Sequence, residues 1–259
     1  MEVRCRYHRF AITLPPLDSS STKSCFRFCF FFLSLLLLLF PPPQRCSTLP
    51  SAVLHSARVE AALRRVDRSN FVLHRDQAYV DQPQPIGHGQ TISAPHMHVM
   101  CLEALEDKLL PGSRVLDVGS GSGYLTAAMG HMVGENGKVI GIEYVEELVE
   151  LGKQNLRKDS PELLEKGIVE IKKGDGWKGD PDNAPFDAIH VGAGAEELPQ
   201  KLVEQLKPEG RLIIPVDSKG SWGQDLLQID KSKDGKSVTK KVLTSCMYVP
   251  LVRETTSQL

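Results

Sequence analysis

Long apolar runs are almost missing from this chain of 259 residues. The one exception, Phe28 to Phe40, has 13 residues and holds Ser34, short of the ~20 that a bilayer-spanning helix needs. Cysteine is scarce beyond residue 54, where only Cys101 and Cys246 occur. That excludes a disulfide framework and fits a reducing compartment, so cytoplasm is the expected location. An excess of one charge is missing too. Residues 1–54 carry a net +4 and the remainder a net −5, which argues against a sequence-independent nucleic-acid binder. Aromatic residues make up only 6% of the chain, with no basic, aromatic-rich face for RNA. No Cys/His or Ser/His/Asp constellation stands out. His96 and His98 are two apart, so they point to different faces of a helix. With no further ligands clustered nearby, no metal site is expected.

What is there begins oddly. Basic residues, including Lys23 and Arg27, precede the apolar run, and Pro41-Pro42-Pro43-Gln44 follows it. This is signal-like, but the basic region is long and no small-x-small cleavage site follows. Phe, Leu, Ser and Pro share pyrimidine-rich codons, so the stretch also has the form of a translated intron end closing on Gln44. Residues 1–54 are therefore expected to be an atypical tail outside the fold, with 55–259 forming one domain. A genuine signal or anchor in 1–44 would instead imply a secretory or membrane location.

The stretch that organises the rest is Arg114 to Tyr124, RVLDVGSGSGY. Val115 to Val118 reads as a strand buried on both faces, broken by one acid, Asp117. Gly119, Gly121 and Gly123 follow, and a helix starts at Tyr124. Glycines there permit positive φ and let a ligand approach bare backbone. The following helix would aim its free N–H groups at that ligand. Lys138 to Glu143 reads as the next strand, and Glu143 stands 20 residues past Gly123. An acid at that distance suits the hydroxyls of a ribose. The glycines run G-x-G-x-G, not the G-x-G-x-x-G of dinucleotide binders. The spacing and Asp117 favour S-adenosylmethionine over a nicotinamide cofactor.

Along the chain, Ser56 caps a helix reaching Val66 with Val59, Ala62, Leu63 and Val66 on one face. Phe71 to Ala94 is a connector rich in Pro, Gly and Gln. Ser93 is expected to cap the next helix, with Met97, Met100, Cys101, Ala104 and Leu105 as its buried stripe. Strands are expected at 114–118, 138–143, 168–172, 186–191 and 211–216, with helices at 125–133, 145–157 and 198–206. Leu226–Ile229 and Val238–Val249 read as a hairpin around Asp234-Gly235. The predicted class is α/β: a doubly wound, mostly parallel, seven-stranded Rossmann-like sheet with an antiparallel C-terminal hairpin. Its site belongs at the strands' carboxyl ends.

The segments TISAPHMH (91–98), LDVGSGSG (116–123), KVIGIE (138–143), GDG (174–176), FDAIHVGAG (186–194), LKPEGRLIIPV (206–216) and YVPL (248–251) closely resemble protein-L-isoaspartate O-methyltransferase. The resemblance implies an S-adenosylmethionine-dependent transferase. It would methylate the free carboxyl of L-isoaspartyl residues in aged proteins, and the ester would then cyclise to a succinimide that reopens partly to aspartate. It implies isoaspartyl proteins as partners, a monomer, and no nucleic acid or membrane. By resemblance, Ser93 is the active-site residue, holding the substrate carboxylate as a hydrogen-bond donor. Gln90, Thr91, Ile92, Ser93, His98, Asp117, Gly119, Ser120, Gly121, Ser122 and Gly123 would bind the cofactor. Glu143 would hold its ribose, Tyr144 would lie beside the adenine, and Asp175 and Gly176 would meet the adenine edge. Gln84 to Gln90 and Trp177 are candidates for holding the substrate's backbone. Val252 departs from the family, which commonly has Thr after YVPL. The rival readings are a methyltransferase acting on RNA or small molecules, a non-catalytic or mis-spliced variant, and a nicotinamide oxidoreductase.

Overall fold

A strand apolar on both faces must be covered on both, and Arg114–Val118 is covered in this way as an interior strand of a seven-stranded sheet. The computed structural model describes residues 53–220 and 222–253. Expectations for the tail fall outside them, except that Val53 and Leu54 already pack on the core. The strands are β1 Gln84–Gly87, β2 Gln90–Ile92, β3 Arg114–Val118, β4 Lys138–Glu143, β5 Val169–Lys173, β6 Phe186–Val191, β7 Leu206–Asp217, β8 Gln224–Lys231 and β9 Val238–Cys246. The helices are α1 Ala57–Arg65, α2 Pro95–Leu105, α3 Tyr124–Val133, α4 Glu146–Asp159, α5 Pro161–Glu165 and α6 Gln200–Glu204.

The order across the sheet is β5-β4-β3-β6-β7-β8-β9. The first five run parallel, and β8 is antiparallel to both β7 and β9. This is the doubly wound class expected, with its C-terminal hairpin. The chain winds outward from β3 through β5, then returns to lay β6 against the other side of β3. The loops leaving β3 and β6 diverge at that switch point, where such sheets hold their ligands. Alternation along the strands sorts the core into two layers. Val115, Val139 and Ala188 face α1 to α4, while Leu116, Ile140, Ile189 and Leu212 face α6 and the loops beside it.

α1 forms as expected. The Ser56 hydroxyl accepts from the N–H groups of Arg58 and Val59, and the whole predicted stripe is buried. Four expectations are corrected. The connector contains an antiparallel hairpin, β1 against β2, which pairs Gln84 with Ile92. Its prolines are tolerated because a two-stranded sheet has only edges. Ser93 does not cap α2; the cap position is Ala94, with no side-chain bond. α2 is also turned by about one residue. His98, Val99, Cys101, Leu102 and Leu105 are buried, whereas Met97, Met100 and Ala104 are only partly so. Apolarity placed the methionines inside, but a paired histidine took the buried position. The expected turn at Pro208-Glu-Gly210 proves to be an interruption within β7, where Leu206–Arg211 lies beside Phe186–Ala188.

Candidate active site

β3 ends in a loop whose three glycines all have positive φ: Gly119 at 73°, Gly121 at 53° and Gly123 at 89°. Such φ values are strained for any side chain with a Cβ. A Cβ at Gly121 would also lie 3.1 Å from Ile86 Cδ1, at the wall of the cleft. Gly123 opens α3, the helix expected to follow the loop.

Glu143, at the end of β4, ties this loop to the next helix. Its Oε2 accepts from Gly121 N at 2.9 Å, and its Oε1 accepts from Tyr144 N at 2.8 Å and Val145 N at 3.0 Å. A carboxylate offers about four acceptor positions, so roughly one remains for a ligand hydroxyl in this geometry. The hydroxyls of Ser120 and Ser122 are buried with no hydrogen-bond partner among the described residues. Bare backbone, a carboxylate with spare capacity and two unsatisfied hydroxyls fit a polar ligand such as the amino-acid and ribose parts of S-adenosylmethionine.

Three adjoining recesses share Thr91 and Gly192. The inner cleft is lined by Gln90, Gly119, Gly121, Glu143, Tyr144, Gly174, Gly176 and Val249 to Val252. A small hollow beneath it is lined by Ile92, Ser93, His98, Asp117, Ser120, Ser122 and His190. An outer cleft of about 460 Å³ is lined by Pro83, Ser93, His96, Met97 and Ser245 to Val249. Most predicted site residues therefore converge. Gly123 sits behind the loop as the α3 cap. Asp175 does not line the inner cleft. Its Oδ1 accepts from Trp177 N, and it lines a separate depression with Trp177, Lys178 and Arg253. Trp177 is not brought to Ser93 either. Its indole N–H donates to Leu251 O at 3.0 Å, and Arg253 stacks on its ring at 3.7 Å. The segment after β9 is held by Gly194, which donates to Val249 O and accepts from Leu251 N. Val252 does reach the inner cleft, so the hydroxyl common at that family position is missing from the wall itself.

Two charged residues escaped the sequence reading. Arg68 is 1% exposed. It donates to Ala78 O at 2.8 Å and Ser93 O at 2.7 Å, and its Nη1 lies 3.1 Å from His98 Nδ1. Its charge also lies 5.4 Å from the Tyr124 ring centre. A guanidinium can only donate, so His98 Nδ1 accepts and its proton sits on Nε2. Burial, reinforced by the Arg68 charge, pushes His98 well below the usual histidine range and keeps it neutral. His190 is the second. Its Nδ1 lies 2.8 Å from Asp117 Oδ1, and Thr126 Oγ1 donates to Asp117 Oδ2 at 2.5 Å. The only signal for His190 was a second polar residue, after Asp187, within a mostly apolar strand. Nothing local marked Arg68.

Comparison with known proteins bears on these clefts. Residues 48–256 match the family model described as protein-L-isoaspartate(D-aspartate) O-methyltransferase. An Arabidopsis thaliana protein named protein-L-isoaspartate O-methyltransferase 1 is 51% identical over 200 residues, covering 77% of this chain and 85% of that one. A second from the same plant, protein-L-isoaspartate O-methyltransferase 2, is 50% identical; the match covers 77% of this chain but 63% of that longer protein. A Plasmodium falciparum crystal structure, described as a protein-L-isoaspartate O-methyltransferase in complex with S-adenosyl-L-homocysteine, is 38% identical with a TM-score of 0.72. It covers 78% of this chain and 94% of its own. With a matching family model over most of its length and relatives near 50% identity, the chain belongs to the protein-L-isoaspartate(D-aspartate) O-methyltransferase family.

Proposed function

We propose that this protein transfers a methyl group from S-adenosylmethionine to the free carboxyl of L-isoaspartyl residues in damaged proteins, the step that opens their repair through a succinimide. The observation that carries this reading is the junction of two clefts at Thr91 and Gly192, one walled by glycine loop and Glu143, the other by Ser93. The donor, when bound, supplies a methyl on a positive sulfur whose leaving group is neutral.

The chain's own residues have modest work to do. The acceptor carboxylate is already ionised at neutral pH, so no strong base is required. In-line placement of oxygen, methyl and sulfur is required, and proximity of that kind lowers barriers by several kcal/mol. The loop Gly119–Gly123 with Ser120 and Ser122 would cradle the amino-acid part of the donor. Glu143 would accept from its ribose, and Tyr144 and Gly176 would border the adenine. Gln90, Thr91 and Ile92 would flank the transferred methyl from the hairpin side, and His98 would donate from Nε2. The Ser93 hydroxyl, which stands where the small hollow meets the outer cleft, would hold the acceptor oxygen in line. The outer cleft would take the substrate's backbone. A target defined by its extra methylene needs such backbone contact, and no pocket for a particular neighbouring side chain.

We further infer that residues 1–44 lie outside the catalytic fold and that the enzyme acts as a cytoplasmic monomer without nucleic acid. Among the described residues no helix is long and apolar enough to cross a membrane.

The test uses labelled S-adenosylmethionine with paired peptides differing only in aspartate versus isoaspartate. Label should enter only the isoaspartyl peptide; equal labelling of both would remove the substrate assignment. Ser93→Ala should lower turnover about 10²-fold, the scale of losing one oriented donor at a reacting oxygen, with S-adenosylhomocysteine binding little changed.

A further inference from the structure

Asp117 and His190 stand directly opposite each other in the parallel pairing of β3 with β6. By the two-residue period both face α2 and α3, on the side of Val115 and Ala188. Both are almost wholly buried, at 1% and 5% exposure, and their side chains meet at 2.8 Å. Both line the small hollow together with Thr91 and Ser93. The acceptor in the reaction proposed above is an anion. A bare carboxylate at Asp117, in a place of low dielectric, would repel it.

We propose that His190 is a positioning residue for this methyl transfer: as a cation it pins Asp117 beneath the site and cancels its charge, so that an anionic acceptor can be held at Ser93. The inference rests on the methyl-transfer reading. The groups facing the imidazole are consistent with it. From β3 it meets Asp117 at 2.8 Å, and from α2 Cys101 comes near enough to act on its charge. His98, also on α2, lies further off and is kept neutral beside Arg68. Burial pulls the His190 ring toward neutrality. The bond to Asp117, helped by Cys101, outweighs that and holds the ring up to about 10, so it stays charged at neutral pH. Asp117 has its second oxygen occupied by Thr126, which stops the carboxylate from turning toward the acceptor. The pair also reaches the substrate side, since it lines the same hollow as Thr91 and Ser93. A purely structural ion pair would not need that position.

The test separates charge from shape on the full chain. In His190→Asn, the side-chain amide keeps an N–H where Nδ1 stood but carries no charge. With saturating donor, its KM for an isoaspartyl peptide should rise about tenfold. Calorimetric affinity for S-adenosylhomocysteine should stay within about threefold. Adding Asp117→Asn makes the pair neutral again, so the double variant's KM should return most of the way to the wild-type value. A KM in His190→Asn within twofold of wild type would overturn the proposal. So would a double variant no better than the single one, because a structural role predicts that the two losses accumulate. Should His190→Asn not fold, nitrogen NMR of the wild-type histidines at pH 8 decides. Both ring nitrogens of His190 protonated supports the proposal, and one bare nitrogen overturns it. A wild-type chain that labels no isoaspartyl peptide defeats the reaction reading instead, while the NMR result still reports on the pair.

Discussion

Two histidines share one hollow and carry opposite charge states. His98 has a guanidinium as neighbour and is neutral; His190 has a carboxylate and is charged. Their effects on stability run in opposite directions with pH. His190 has a folded pKa of about 10 against 6.5. Its contribution is complete below pH 6.5 and is lost as pH rises toward 10. His98 has a folded pKa below 6.5. The unfolded chain therefore gains a proton there that the native state refuses, and stability falls as pH drops below 6.5. Urea unfolding at several pH values should show the stability gap between wild type and His190→Asn closing from pH 6.5 to 10. It should also show His98→Gln losing less stability than wild type below pH 6.5. A gap independent of pH would contradict the charge assigned to His190.

The unit of strand, glycine turn and helix is the next scale up, and Glu143 is what locks it to its neighbour. One carboxylate holds the N–H of Gly121 in the loop after β3 and those of Tyr144 and Val145 at the start of α4. Binding and folding therefore share this side chain. Removing a charged acceptor from buried donors costs about 1–3 kcal/mol. Glu143→Ala should lower unfolding free energy by about that much in denaturant titration. It should also weaken S-adenosylhomocysteine at least about tenfold by calorimetry. Affinity lost with stability unchanged would mean that Glu143 serves the ligand alone. This unit was largely readable beforehand. β3, β4 and β6 were bounded correctly because strands buried on both faces are mostly apolar and end at glycine or acid. The β1–β2 hairpin was not, since its prolines and glycines look the same in a turn as in a short edge strand. The facing of α2 was misread for a different reason. His98 is buried only because Arg68, 30 residues earlier, supplies a partner, and no local pattern carries that information.

For the whole molecule the question is how much chain the fold needs. The match to the family begins at residue 48, and Val53 and Leu54 already pack against the core. The first described helix, α1, closes over α3 with Val59, Ala62 and Leu63 buried. A chain of residues 45–259 should therefore unfold cooperatively and methylate an isoaspartyl peptide with kcat/KM within about twofold of the full chain. Loss of folding or turnover on removing 1–44 would show that the tail belongs to the enzyme.

The amino-acid order by itself determined most of the elements, the glycine loop with its acid one strand along, and through its motifs the family. These are short-range properties, set by side-chain period, by the φ that only glycine tolerates and by spacing within one βαβ unit. Tertiary structure decided which charges are buried together. The return of β6 to the flank of β3 places His190 against Asp117 across 73 residues, and the packing of α2 brings Arg68 onto His98 and Ser93. A buried charge persists only where a partner from elsewhere in the chain meets it at hydrogen-bond distance. That condition concerns strand order and packing, and no stretch of sequence contains it alone.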